Sequence, residues 1–479
     1  MAPLISLIFL AYALFAAADY TVTIQASSNR GIWEGWGTSL AWWAVRFGDR
    51  DDLANIFFTL NSTQWMSQTL PGLGFNIARY NAGACSRNSI DGESMAVSPN
   101  MYKSRQVEGF WLDWDSSDPS SSSWDWSVDA KQRAMMQKAA ARGANRFELF
   151  SNSPMWWMCY NHKPAGANDG SKDNLQSWNY NQHATYLATI AKYAKDHWGI
   201  RFESVEPFNE PMASWWSSTG TQEGCHFDVS TQATIIGLLR SELDSRGLSN
   251  MMIASSDETS YDQAVSTWRA LGSAALAKVD RINVHGYQKG EGRRDVLYDL
   301  VSGQGAKLWN SEYGENDATG EQLVRNLMLD FRWLQPTAWV YWQVLDRNSW
   351  GLLDADNEGG TIGNLSQKYF ALAQFTRHIR EGMRILDSGV GNVIPAYDAT
   401  AHRLVIVAVN WDASQNIAFD LSQLSSRPAN GATVRHWTTQ VRRGDRYVGR
   451  ADAAISGNGF RFMAATGVIH TFEIDGIYL

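Results

Sequence analysis

Three things are scarce in this sequence, and each scarcity excludes something. No run of five lysines or arginines occurs, and the 41 basic and 49 acidic residues are scattered along the chain for a formal net charge of -8. The basic track that nucleic acid or an anionic lipid surface demands is therefore absent. Cysteine is limited to Cys85, Cys159 and Cys225. An odd count allows at most one intramolecular disulfide, and with no Cys-x-x-Cys pair or histidine at ligand spacing there is no zinc pattern. Long apolar runs are missing after the N-terminus, so no later stretch reads as a membrane span. The one such run, Met1 to Ala18, is too short to span and closes with Ala16, Ala17 and Ala18 before Asp19. That is the pattern of a secretory signal peptide. The expectation is a secreted, extracellular protein that needs no metal or cofactor and works as a monomer. Asn-x-Ser/Thr acceptors for glycans at Asn61 and Asn364 agree with that route.

Tryptophan is abundant instead, at 23 residues against 19 Phe and 17 Tyr. A core has little use for so many indoles, each with an N–H to satisfy, whereas a ligand site can use their flat faces. From Trp33 onward, apolar runs alternate with helical patterns, the mark of βα units and a parallel sheet. The expected strands are 35–43, 75–81, 146–152, 203–209, 251–256, 281–287, 306–313 and 337–344. The expected helices are 128–142, 182–198, 230–246 and 320–334, with further ones at 51–68, 262–278 and 294–301. This predicts an α/β fold, a (β/α)8 barrel over residues 31–382, with its active site where the strands end. After a helix at 367–379 the pattern turns to short alternating segments divided by turn clusters, predicting a β-sandwich over 383–479. The run at 19–30 is expected to add a strand to that sandwich.

Alternation along strands picks out the residues at the barrel mouth. Glu210 ends the fourth strand beside Asn209, and Glu312 ends the seventh, in a row read as Leu308, Asn310 and Glu312. Arg79 on the second strand and His285 and Tyr287 on the sixth join them, with Trp342 on the eighth. Trp42 follows the first strand, Trp156 and Trp157 the third, and Trp215 and Trp216 the fourth. In each tryptophan pair, Trp42 with Trp43 included, one ring is expected to face substrate and its neighbour to pack inward. Two carboxylates sharing one mouth suit glycosidic cleavage, in which one acid protonates the leaving oxygen and the other attacks or directs water. A cation such as Arg79 keeps one carboxyl ionised, while an apolar wall keeps the other protonated.

These residues resemble clan A of the glycoside hydrolases. The runs Glu34 to Trp43, Gly74 to Asn81 and Ser151 to Trp157, with the sandwich tail, resemble glycoside hydrolase family 30 in particular. The similarity spans nearly the whole mature chain and is nearest to the fungal endo-β-1,6-galactanases. It implies a retaining mechanism with Glu210 as acid/base and Glu312 as nucleophile. It also implies that Asn209 holds the hydroxyl beside the reacting carbon, Tyr287 holds the nucleophile, and His285 and Arg79 orient both. The implied partner is a β-1,6-galactan such as the side chains of arabinogalactan protein. An endo-β-1,6-glucanase is the alternative within the family, and a carbohydrate-binding protein without catalysis the alternative outside it.

Overall fold

A computed structural model describes residues 20–479; the signal-peptide reading at 1–18 lies outside them. Eight strands form a closed barrel, each parallel to the next. They are Gly35–Ser39, Ile77–Asn81, Arg146–Phe150, Ser204–Glu206, Met252–Glu258, Arg281–His285, Lys307–Tyr313 and Ala338–Tyr341. Five of them, the first, third, fourth, sixth and eighth, end before their expected ranges do, because the chain leaves the sheet where the loops of the mouth begin, whereas the fifth runs two residues past its expected end to Glu258. The fourth strand ends at Glu206, four residues before Glu210.

The helices pack their apolar faces on the outside of the barrel, for example Ile235, Ile236, Leu239 and Leu243 of Val229–Ser245. Two expected helices differ. The segment 51–68 is helical only over Asp51–Phe58; beyond it Ser62–Trp65 and Gln68–Pro71 form a hairpin. Thr63 and Thr69 suit extended backbone, and Gln64 donates across the hairpin to Thr69 at 2.6 Å. The segment 262–278 breaks at Gly272, whose φ of +79° no helix continues.

The C-terminal region is all β. Three strands, Tyr20–Thr23, Gln415–Asp420 and Gly459–Ala464, form one sheet, and six between Arg384 and Asp475 form the other. Tyr20–Thr23 lies parallel to Ile417–Asp420, so the start of the described chain is tied to its far end. Val448–Ala454, an exposed edge strand of the six, has too few β-formers to be expected from sequence. No helix of the described residues is long and apolar enough to cross a membrane. Asn61 and Asn364 are exposed. Cys85, Cys159 and Cys225 are free and buried, and Cys85 Sγ donates to Glu223 at 3.2 Å.

Candidate active site

The interior of the barrel holds a charged column that runs from Arg281, the first residue of its strand, up to Glu312 near the mouth. Arg79 donates to Glu148 at 2.7 Å, pairs with Asp257, and approaches Glu312 at 3.5 Å. Arg281, with its guanidinium 3.4 Å over the Trp309 ring, pairs with Glu148, and Asn283 donates to the same carboxylate at 2.9 Å. Arg79, Glu148, Asp257, Arg281 and Asn283 are fully buried, and Glu312 is 4% exposed. Charges this dry persist only when paired, and the pairing fixes their positions. The Arg79 and Arg281 guanidiniums hold Glu148 below the usual carboxylate range against the desolvation that opposes it. Burial pushes Glu206, which lacks such a partner, well above that range.

The expected inward row of the seventh strand needs correction. Leu308 packs in the outer core, and Asn310 donates outward to Asp330 at 2.6 Å, whereas Trp309 contacts Ile77, Ala338 and Val340 inside the barrel. A bulge lies between them and the mouth: Val284 faces Asn310, but the next residue, His285, faces Glu312. Ser311 and Glu312 therefore both serve the interior, and the bulge, not plain alternation, aims Glu312. On the opposite wall, Glu210 has φ +46°, a left-handed conformation that turns its side chain inward beyond the end of the strand. Its N–H is held by the Asp257 main-chain oxygen at 2.9 Å, and its own main-chain oxygen accepts from Trp216 Nε1 at 2.9 Å.

The two glutamates meet over His285. Nδ1 of the ring lies 3.0 Å from Glu210 and 3.5 Å from Glu312, while Nε2 lies 3.2 Å from Asp257. One oxygen of Glu210, one of Glu312 and one ring nitrogen all fall within 4.8 Å of one another. Nδ1 thus faces both glutamates, while Nε2 lies at ion-pair distance from Asp257 without a hydrogen bond in line with its N–H. Burial pushes the Glu312 carboxyl up to about 7, with His285 and Arg79 pulling it back toward the ionised form. Burial also works against a charge on His285, but Glu312 and Asp257 outweigh it and hold the imidazole well above its ordinary value.

Above the pair opens a cleft of about 720 Å³, a volume suited to several sugar rings. Its lining includes Asn209, Glu210, Tyr287 and Glu312, the rings of Trp42, Trp215, Trp216, Trp342 and Trp350, and the cations Arg105 and Arg347. Trp42 and Trp342 meet edge to face at 5.1 Å, and Trp43 beside them is buried. Trp156 and Trp157 do not reach the mouth. Both are buried in the core, where Trp156 Nε1 donates to Ser86 at 2.6 Å and Trp157 Nε1 to the Trp111 main chain at 2.9 Å. Trp350, Asp257, Glu148 and Glu206 were not foreseen. The polar tetrad Ser255 to Glu258, in a strand otherwise meant for burial, was the one available signal for Asp257.

A closed eight-stranded parallel barrel with a pair of glutamates at its mouth, one beyond the fourth strand and one near the end of the seventh, fits the class of glycoside hydrolases. Residues 19–271 match the family model for O-glycosyl hydrolase family 30, and the chain belongs to that family. It is 60% identical over 473 residues, 98% of each chain, to an endo-β-1,6-galactanase of Hypocrea rufa. A more distant relative, an exo-β-1,6-galactobiohydrolase of Bifidobacterium longum, is 21% identical over 91% of this chain and 37% of its own. Among solved structures, the catalytic domain of a family 30 xylanase from Talaromyces cellulolyticus superposes with a TM-score of 0.70 at 20% identity, covering 95% of this chain and all of that one. Family membership makes the substrate class a polysaccharide.

Proposed function

We propose that this chain is a secreted, monomeric endo-β-1,6-galactanase that cleaves galactan side chains with retention, using Glu210 as acid/base and Glu312 as nucleophile. The observation that carries the mechanism is the approach of their oxygens to within 4.8 Å. Retaining glycosidases keep their carboxyl groups about 5–5.5 Å apart, which brings an oxygen of one this near to an oxygen of the other, and inverting ones leave room for a water at about 6.5–9.5 Å between the groups. The substrate rests on the 60% identity with the Hypocrea rufa enzyme over 98% of each chain.

The cleft supports a sugar ligand in a further way. Trp42 Nε1, Asn209 Oδ1 and Glu312 Oε2 are buried polar atoms with no hydrogen-bond partner in the protein. Such atoms are costly unless a ligand or water completes them. A galactosyl ring bound over Glu312 places its anomeric carbon before Oε2 and its neighbouring hydroxyl before Asn209. Tyr287 holds the other Glu312 oxygen, so Oε2 is the attacking atom. Arg79 and His285 stabilise the carboxylate until it attacks. Glu210 gives its proton to the leaving oxygen, then takes one from the water that frees the product. Trp42, Trp215, Trp216 and Trp342 supply faces and edges for flanking sugars.

The test is incubation with de-arabinosylated arabinogalactan and, separately, with the β-1,6-glucan pustulan. Short galactose oligomers from the first alone are expected. Glucose oligomers from the second alone would overturn the substrate, and no product from either would overturn the activity.

A further inference from the structure

Asp257 links Arg79, Ser311, His285 and the main chain of Glu210 without lining the cleft. It is the penultimate residue of the fifth barrel strand, with φ +58°, again in the left-handed region. Its carboxylate accepts from Ser311 Oγ at 2.5 Å, pairs with Arg79, and lies 3.2 Å from His285 Nε2, while its main-chain oxygen holds the N–H of Glu210. Asp257, Arg79 and His285 are fully buried. The imidazole is thus set between Asp257 on one nitrogen and Glu210 with Glu312 on the other. A neutral ring carries one N–H and would turn a bare lone pair toward a carboxylate on one side; an imidazolium turns an N–H toward each, bonding Glu210 through Nδ1 and facing Asp257 through Nε2 as a close ion pair rather than a linear hydrogen bond. The other titratable groups around the ring are Tyr287, edge-on at 5.7 Å, and Glu258. Asp257 also faces Glu148 and Glu206.

We propose that Asp257 is a positioning residue: it holds His285 as an imidazolium, and this one fixed cation serves in turn as counter-ion to Glu312 and to Glu210. The proposal deepens, and rests on, the reading of those two glutamates as nucleophile and acid/base.

The charges of the barrel interior balance on this assignment. Arg79, Arg281 and the imidazolium provide three positive charges. Glu148, Asp257 and a single charge shared by Glu210 and Glu312 provide three negative, with Glu206 and Glu258 kept neutral by burial. In the first half-reaction, Glu312 forms an ester bond to the anomeric carbon as the glycosidic C–O bond breaks, and the proton of Glu210 goes to the leaving oxygen. The negative charge has then moved from Glu312 to Glu210. In the second, water gives a proton to Glu210 while its oxygen displaces Glu312, and the charge returns. Nδ1 of His285 lies within 3.5 Å of both carboxylates, so it serves each state without gaining or losing a proton. Without Asp257, the cation loses the partner that is present in both states.

The ring can be read directly by ¹⁵N NMR of the full mature chain labelled at its nine histidines, with His285→Gln used to assign the signals. His285 is expected to keep imidazolium shifts at about pH 8, well above the ordinary value of ~6.5. A wild-type ring that titrates near ~6.5 overturns the proposal, whether or not any variant folds. Asp257→Asn is expected to let the ring titrate and to move the acid limb of kcat/KM upward by about one pH unit, because a neutral His285 no longer stabilises ionised Glu312. An Asp257→Asn enzyme with both readouts unmoved also overturns it; a merely structural role would lower kcat without moving either. Because the nitrogens are read in the free enzyme, the result stands apart from any test of the glycosyl chemistry.

Discussion

Tyr287 donates its phenolic proton to Glu312 Oε1 across 2.7 Å, fixing which oxygen of the carboxylate is left for substrate. A hydrogen bond to a carboxylate favours the ionised form, so its loss raises the carboxyl pKa. Glu312 already sits at about 7. Tyr287→Phe should therefore shift the acid limb of kcat/KM to higher pH, since the nucleophile is competent only when ionised. A charge-assisted bond of roughly 1.5–3 kcal/mol corresponds to a loss of about tenfold to a hundredfold in kcat/KM at a fixed acidic pH. A pH–rate profile on an aryl β-galactoside checks both, and a limb that stays in place while the rate falls would separate orientation from ionisation.

The barrel was legible because parallel strands buried on both faces read as short apolar runs between amphipathic helices. The site was legible only in part, and for local reasons. Arg79 and His285 follow plain alternation on straight strands. Glu312 does not follow alternation: the pattern groups it with Leu308 and Asn310, whereas a bulge at Ser311 turns it inward. Glu210 owes its direction to a positive φ that no local pattern announces. Trp156 and Trp157 follow a strand as Trp215 and Trp216 do, but the long loops of the mouth cover them. Asp257 has partners from the second, sixth and seventh strands, a relationship that exists only once the barrel closes.

Trp350 and Trp156 should part cleanly under truncation. Trp350 is 36% exposed on the cleft wall, and Tyr341 uses only its main-chain oxygen, at 2.6 Å. Trp350→Ala should raise KM by about tenfold, equivalent to ~1.4 kcal/mol, with an unchanged melting temperature. Trp156 is wholly buried. Trp156→Ala should cost about 3–5 kcal/mol of stability, and the soluble fraction that remains folded should keep a normal KM. Thermal unfolding and initial rates on galactan oligomers decide between the two.

Glu258 provides a pH test of stability. It is 1% exposed, accepts from Thr267 Oγ1 at 2.6 Å, and is pushed up to about 8 by burial. A carboxyl with a raised folded value binds its proton more tightly in the native state than in the unfolded one. Its contribution is thus complete below the unfolded value of ~4.3 and is lost as pH rises toward about 8. Glu258→Gln imitates the neutral form and removes that loss. Its melting temperature should gain on the wild type progressively from about pH 5 to about pH 8 and level off above. A difference that stays constant across that range would show that Glu258 titrates normally.

The roles of Glu210 and Glu312 come apart by rescue chemistry. Glu210→Ala lacks the proton donor, so on a galactan substrate its rate should fall by about 10³-fold or more, whereas an aryl galactoside with an acidic leaving group still loads Glu312. The resulting ester then persists, because no base activates water. Azide needs no such base and fits the space left by the missing carboxyl. It should displace Glu312 from the face Glu210 occupied, releasing a β-galactosyl azide and restoring turnover in proportion to azide concentration. Glu312→Gln offers no nucleophile, so azide should not restore the β product there. An α-galactosyl azide from Glu210→Ala would mean a single displacement and would overturn the assignment of Glu312 as a nucleophile that forms an ester.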